Sequence, residues 1–262
     1  MFFRDEGSGD PVLLVHGLGA SSRVFDALFD ARNPAQRLLA VDLPRTGRSG
    51  HWAASQPEAI ADALAKFLEE RGLSSVHLFG HSFGGLVCLA LAARHAHVAR
   101  SLTVASAPAL GLPLELRLWL DHPFADLAYG LLGRTPASRA MLQGYLGLIW
   151  GRLGTLSGEH LNVYEAAQAA PGFGEGVLEA LRSIGRFRIE PDALSQASFP
   201  KVVLWGDRDP LVPASAGARI AQAIGGRFEV IEGVGHCLPD ERPDVVARAV
   251  ERCLSPSVDE AA

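Results

Sequence analysis

Leu78-Phe79-Gly80-His81-Ser82-Phe83-Gly84-Gly85 is the stretch on which the reading of this chain turns. Val76-His77-Leu78-Phe79 leads into it as the kind of short run that a strand buried on both faces makes. Residues 83–95 after it read as a helix. Between them, Gly80-His81-Ser82-Phe83-Gly84 has the form G-x-S-x-G. Glycine stands at the two places where a tight strand-to-helix turn leaves no room for a side chain. Such a turn lifts the serine oxygen above the C-terminal edge of the sheet, at the positive end of the next helix. A Gly-rich turn with a solvated serine can show the same five letters by chance. The strand before and the helix after favour a reactive Ser82.

Working outward, five more apolar runs have the same character, at residues 12–15, 38–41, 102–105, 202–205 and 228–231. Helical patterns separate them. Ile60, Leu64, Phe67 and Leu68 recur on one helical face, with Ser55 and Glu58 as a capping box and Gly72 as the stop. Residues 241–253 read as another helix. Strands alternating with helices predict an α/β fold, a mostly parallel sheet with helices on both faces. From 110 to 197 no such strand appears. Helical patterns there carry Trp119, Phe124, Tyr129, Tyr145, Trp150, Tyr164, Phe173 and Phe187. Breaks fall at Gly133, Pro136, Gly151, Gly154, Pro171 and Gly172. The expected organisation is a core of 1–109 and 198–262, with a helical insertion at 110–197. Its aromatics are expected to form the insertion's own core, some of them lining a pocket. The tail 255–262 is expected to fray.

Composition narrows the function classes. The 262 residues are 48% hydrophobic and 20% charged, with a net charge of −5. That is ordinary for a globular chain and excludes disorder for its bulk. No basic run suggests a nucleic-acid partner. Cys88, Cys237 and Cys253 fit neither a disulfide framework nor a zinc motif. No secretory signal and no apolar run long enough for a membrane span is read, so the expected address is the cytoplasm. No G-x-G-x-x-G follows a strand and no Walker motif appears, so no cofactor is expected. His95 and His97, two apart on a helix, point apart and suit no metal. Cys237 is read as structural, and His81 as a packing residue of the turn.

Three other loops carry polar chemistry. His16-Gly17-Leu18-Gly19 follows the first apolar run. Its glycines free backbone N–H groups, and Leu18 N–H with Phe83 N–H would supply the two donors an oxyanion needs. Alone, this stretch is an ordinary strand–helix turn. Trp205-Gly206-Asp207-Arg208-Asp209-Pro210 offers two acids after the fifth run. Either could orient a histidine, and both could simply cap the next turn. Gly233-Val234-Gly235-His236 places a histidine beyond the sixth run. Strand ends on one edge of a parallel sheet bring such distant loops together.

Taken in order, these stretches, with Asp42-Leu43-Pro44 and Gly47-Arg48-Ser49, make the chain resemble the α/β-hydrolase superfamily from about Pro11 to Leu254. The resemblance implies a Ser82–Asp209–His236 triad. It prefers Asp209 to Asp207 because the family's acid ends a G-x-x-D pattern. It implies that 110–197 is a cap over the active site. It also implies a serine hydrolase that cleaves a carboxylic ester, thioester or lactone of a fairly apolar small molecule. Haloalkane dehalogenases and epoxide hydrolases of the superfamily carry aspartate where this chain has Ser82. Acyl transfer to an alcohol or peroxide, and carbon–carbon bond hydrolysis, use the same triad and stand as alternatives. A non-catalytic binding protein on the same fold is a third. Two departures are visible. Only 11 residues precede Val12, so the antiparallel edge is expected to be short. Arg45 and Thr46 stand where the family often has Gly-His in the turn after Asp42-Leu43-Pro44.

Overall fold

The structure is a computed structural model that describes residues 1–131, 138–151 and 156–254. In chain order it has β1 (Phe3–Gly7), β2 (Asp10–Val15), α1 (Asp26–Asp30), β3 (Gln36–Val41), α2 (Pro57–Glu69), β4 (Val76–His81), α3 (Phe83–Arg94) and β5 (Ala99–Ala105). Then come α4 (Leu114–Leu120), α5 (Pro123–Gly130), α6 (Ser138–Ile149), α7 (Gly158–Ala167), α8 (Phe173–Ile184) and α9 (Pro191–Gln196). The chain returns to the sheet with β6 (Lys201–Gly206), α10 (Ala214–Ile224), β7 (Arg227–Ile231), α11 (Leu238–Glu241) and α12 (Pro243–Leu254).

The seven strands lie in the order β1-β3-β2-β4-β5-β6-β7. All neighbours are parallel except β1, which pairs antiparallel with β3. This is the α/β-hydrolase fold. Side chains alternate between its two faces. Leu13, Val15, Leu39, Val41, Leu78 and Val203 turn toward α2, α3 and α10. Val12, Leu14, Leu38, Ala40, Phe79 and Leu204 turn toward α1 and α12. Both faces are apolar because both are covered, which is why the strands read as unbroken apolar runs rather than alternating ones.

The order places the site. From β2 the chain crosses to β3 on one side, then returns to β4 on the other. The strand order therefore reverses between β2 and β4, and in open α/β sheets it is beyond the C-terminal ends at such a reversal that ligands bind. His16-Gly17-Leu18-Gly19 leaves one of those ends and Ser82 the other.

Several expectations change on contact with tertiary structure. The antiparallel edge is short: the one strand before β2 is β1, of five residues. β1 holds the edge against β3, but its residues are half-buried or exposed, so Phe3-Arg4-Asp5-Glu6 carries no apolar run. The capping box is absent. Gln56 is the N-cap of α2 and Pro57 its first residue, while Ser55 Oγ donates to Glu179 Oε2 of α8 at 3.0 Å. A tertiary carboxylate has outcompeted the local cap. Gly72 does stop α2, at φ +68°, with Leu73 N–H reaching back to the Leu68 carbonyl at 2.9 Å. His95 and His97 do not share a helix. α3 ends at Arg94, His95 bonds Asp62, and His97 sits in the short turn Ala96–Val98.

Between β5 and β6 the described chain forms α4 to α9, and its aromatics do not gather into one core of their own. Trp150, Tyr164, Phe173 and Phe187 are buried, whereas Trp119, Phe124 and Tyr145 are 44%, 67% and 50% exposed. Most buried residues join the two clusters of the sheet. Leu142, Leu146, Ile149, Trp150, Leu161 and Tyr164 join the α1–α12 side, and Ile184, Phe187 and Leu194 the other. Two small clusters, around Leu120, Ala125 and Leu178 and around Ala167, Phe173 and Val177, lie within 110–197 apart from these. The breaks expected at Gly133, Pro136 and Gly154, and the tail 255–262, lie outside the described residues. No helix among the described residues is long and apolar enough to cross a membrane.

Leu64 is fully buried at the centre of the α2 face. Leu64→Ala is expected to lower stability by about 3 kcal/mol, from lost transfer energy plus the cavity, as read by urea unfolding.

Candidate active site

Ser82 stands between β4 and α3 at φ +51°, ψ −119°. A side chain rarely adopts that conformation, and holding it there costs on the order of 1–3 kcal/mol. The neighbouring backbone enforces it. Ser82 N–H donates to the Ala105 carbonyl at 2.8 Å, and Gly85 N–H to the Ser82 carbonyl at 2.9 Å. A Cβ on Gly80 would lie 2.4 Å from the Gly84 carbonyl oxygen, and one on Gly84 would lie 2.2 Å from that of Val15. Glycine is therefore required at both ends of the turn.

The three side chains expected at one site meet there. His236 Nδ1 lies 2.8 Å from Asp209 Oδ2, and His236 Nε2 lies 2.8 Å from Ser82 Oγ. An ionised carboxylate only accepts, so Nδ1 carries the proton and Nε2 accepts the Ser82 hydroxyl. The Asp209 side chain is fully buried. Its Oδ1 accepts from Leu211 N–H and Val212 N–H at 2.9 and 3.0 Å, which leaves Oδ2 aimed at the histidine.

Asp207 has a different task. Its Oδ1 accepts from Gly233 N–H at 2.6 Å and Val234 N–H at 3.3 Å, and Arg208 N–H donates to the Val234 carbonyl at 2.9 Å. It fastens the loop after β6 to the loop after β7, and Asp209 touches the imidazole.

The loop after β2 lies against the turn. A Cβ on Gly17 would fall 2.9 Å from His81 Nδ1 and 3.1 Å from Ser82 Cβ. Leu18 therefore follows a residue in contact with Ser82. Phe83 is the first residue of α3, where the helix supplies no partner for a backbone N–H. Buried His16 fixes the loop. Its Nδ1–H donates to the Gly17 carbonyl at 2.8 Å, and its Nε2 accepts from Leu43 N–H at 3.0 Å. Burial pushes its pKa down, which preserves that neutral tautomer. Thr46, one of the two departures in the Asp42 turn, lies 3.3 Å from the same Nε2. Arg45, the other, has φ +57° and lays its side chain along Gly172 and Gly176 at the start of α8.

The sequence reading gave His81 only a packing role and assigned none to Glu241. His81 Nε2–H donates to the His236 carbonyl at 2.7 Å and so holds the histidine loop. Glu241 bonds Gly235 N–H and Gly151 N–H. Glu241 lies outside every motif and His81 fills a variable position of G-x-S-x-G, because both act on backbone brought near by tertiary folding. Cys237 is buried, with Tyr164 Oη 3.7 Å from its sulfur, and burial pushes its thiol well up. No three His, Cys, Asp or Glu side chains gather as a metal would require among the described residues.

The comparisons agree with this frame. Residues 12–249 match the alpha/beta hydrolase family, and the chain belongs to it. The dihydrolipoyllysine-residue acetyltransferase component of the acetoin cleaving system from Cupriavidus necator is 26% identical over 244 residues, which cover 90% of this chain and 61% of that protein. The pimeloyl-[acyl-carrier protein] methyl ester esterase of Vibrio atlanticus is 34% identical over 120 residues, 45% of each chain. The chain thus spans less than two thirds of the length of these two relatives. A thermophilic esterase from Thermogutta terrifontis superposes with a TM-score of 0.81 at 26% identity, covering 97% of this chain and 93% of that one.

Burial, and then the neighbouring His236, push the His81 pKa from 6.5 down to about 3. As pH falls from 6.5 toward 3, the unfolded chain binds a proton that the folded chain refuses. Stability is therefore lost across that window and not above it. His81→Gln is expected to show a smaller drop in urea midpoint between pH 7 and pH 4.5 than the wild type. An equal drop would contradict this.

Proposed function

We propose that this chain is a serine hydrolase that cleaves a carboxylic ester, thioester or lactone of a fairly apolar small molecule through an acyl-Ser82 intermediate. One observation carries the reading: the unbroken chain of hydrogen bonds from Asp209 through His236 to Ser82, each link 2.8 Å. The tautomer is already the one the chemistry needs. Nε2 takes the Ser82 proton as Oγ attacks the carbonyl carbon, and Asp209 stabilises the imidazolium that results. The charge that develops on the carbonyl oxygen is received by the Leu18 and Phe83 N–H groups, each worth roughly 3 kcal/mol of barrier. The protonated His236 returns its proton to the leaving alcohol or thiol. Water, deprotonated by the same imidazole, then releases the acid and restores Ser82.

Residues 110–197 serve in this reading as a cap, with its apolar residues facing substrate. Half-exposed Trp119 and Tyr145, with Leu127 and Leu148, give its helices apolar surface not spent on the core. The esterases among the similar proteins support the same reaction class. The cleaved group and the acyl acceptor belong to this proposal, as does the triad.

The test is hydrolysis of p-nitrophenyl esters across acyl lengths. Ser82→Ala is expected to abolish turnover and labelling by a fluorophosphonate. Asp209→Asn, which leaves the imidazole in the wrong tautomer, is expected to lower kcat by about 10⁴-fold. Asp207→Asn should retain activity and lose stability instead. A wild type that neither cleaves esters nor takes the label would sink the reading.

A further inference from the structure

Glu241 ends α11, five residues beyond His236. Its Oε1 accepts from Gly235 N–H at 3.0 Å, the amide immediately before His236. Its Oε2 accepts from Gly151 N–H at 2.8 Å, just after α6. One carboxylate thus bridges the histidine loop and the helical segment between β5 and β6. The two backbones are in direct contact at this point. His236 N–H donates to the Ile149 carbonyl at 2.8 Å. A Cβ on Gly151 would lie 2.2 Å from Gly235 N, and one on Gly235 would lie 2.3 Å from Gly151 N. Neither backbone can shift without the other. Two converging N–H groups make a small region of positive potential that an anion satisfies. Charge-assisted bonds of this kind are about twice as strong as neutral ones.

His236 is accordingly held from several sides. Asp209 orients its ring, His81 takes its carbonyl, Ile149 takes its N–H, and Glu241 fixes the amide before it. The first two partners belong to the loops and strands of the sheet. The other two tie His236 to the segment around residue 150. We propose that Glu241 is a positioning residue for His236, one that makes the histidine's place depend on the seat of the helices between β5 and β6. This rests on the hydrolase reading for its effect on rate, though not for its effect on geometry. A second tie limits what is lost without it. Tyr164 Oη–H of α7 donates to Asp240 Oδ2 of α11 at 2.8 Å, so the helices stay attached.

Glu241→Gln is the informative change. It preserves shape but turns an N–H toward one of two N–H donors. With a short p-nitrophenyl ester, kcat is expected to fall on the order of tenfold or more, since small misplacements of a catalytic group are costly. KM should hold, and fluorophosphonate should still label Ser82, only more slowly. The downfield proton resonance of the His236–Asp209 hydrogen bond should shift or broaden. An unchanged kcat overturns the proposal, as does a lower kcat with an unmoved resonance. So does a loss of kcat matched by a rise in KM and a fall in melting temperature, which marks general destabilisation. Should the Gln variant fail to fold, Glu241→Asp is read by the same criteria, because its shorter carboxylate reaches only one of the two amides. A wild type that shows the resonance but cleaves no ester defeats the hydrolase reading. In that event the resonance of the variant alone decides the role of Glu241.

Discussion

The site depends on one constraint: backbone must approach backbone where β2 and β4 end. Ser82 can hold φ +51° only because Gly84 rests on the Val15 carbonyl and Gly17 rests on the Ser82 side chain. The strain of order 1–3 kcal/mol is local. What offsets it is distributed. From Phe83 to Ala92, α3 is buried throughout, and Ser82 N–H and the Ser82 carbonyl are both bonded. A strained residue persists where its surroundings over-determine it. Here they do so with contacts that no side chain larger than hydrogen would permit.

This also explains what was legible in the sequence and what was not. Strands buried on both faces announce themselves as apolar runs, so β2 to β6 could be read, whereas β7, expected to have the same character, is an edge strand whose residues are half-buried or exposed. β1, an edge strand that carries the charged Arg4, Asp5 and Glu6, could not be read. Glycines forced by close approach are visible as G-x-S-x-G and as the first glycine of His-Gly-Leu-Gly. The choice between Asp207 and Asp209 was not visible in spacing. Both lie in one loop within two residues, and the difference lies in which backbone amides each carboxylate meets. The preference for Asp209 comes from the resemblance to a family, and Asp209 is the one of the two that lies against His236. Ser55 failed as a cap for a similar reason, because Glu179 is 124 residues away and invisible locally. The helices between β5 and β6 mislead most. Trp150, Tyr164 and Phe187 complete the clusters of the sheet, and composition alone does not show what they pack against.

The loops that carry Asp209 and His236 are fastened by ions used as structural pins. Asp207 joins them to each other, and Glu241 joins the second to the segment after α6. Each carboxylate accepts from backbone N–H groups. Those partners are fixed by the chain path and cannot rotate away as a lysine could. This makes the pins better positioning devices than surface ion pairs such as Arg242–Asp244, whose median worth is about 0–1 kcal/mol.

Two histidines stand with ring centroids 5.3 Å apart, and their surroundings assign them opposite behaviour. His81 donates to a carbonyl rather than to a carboxylate, and burial, against the opposing pull of the Asp209 charge, keeps it neutral down to a pH of about 3. His236 has Asp209 at its Nδ1 and must become cationic in the proposed reaction. A second cation beside it would oppose that charge, so the neutrality of His81 favours the charge that the proposed reaction puts on His236. The Asp209 charge, buried completely, is costly in isolation, but its three hydrogen bonds satisfy it before any substrate arrives. In the proposed reaction it faces an imidazolium once the Ser82 proton has moved. The attraction of the buried pair is thereby strongest at the moment of charge transfer. An interaction made mainly in the transition state accelerates the reaction, whereas one made equally beforehand does not.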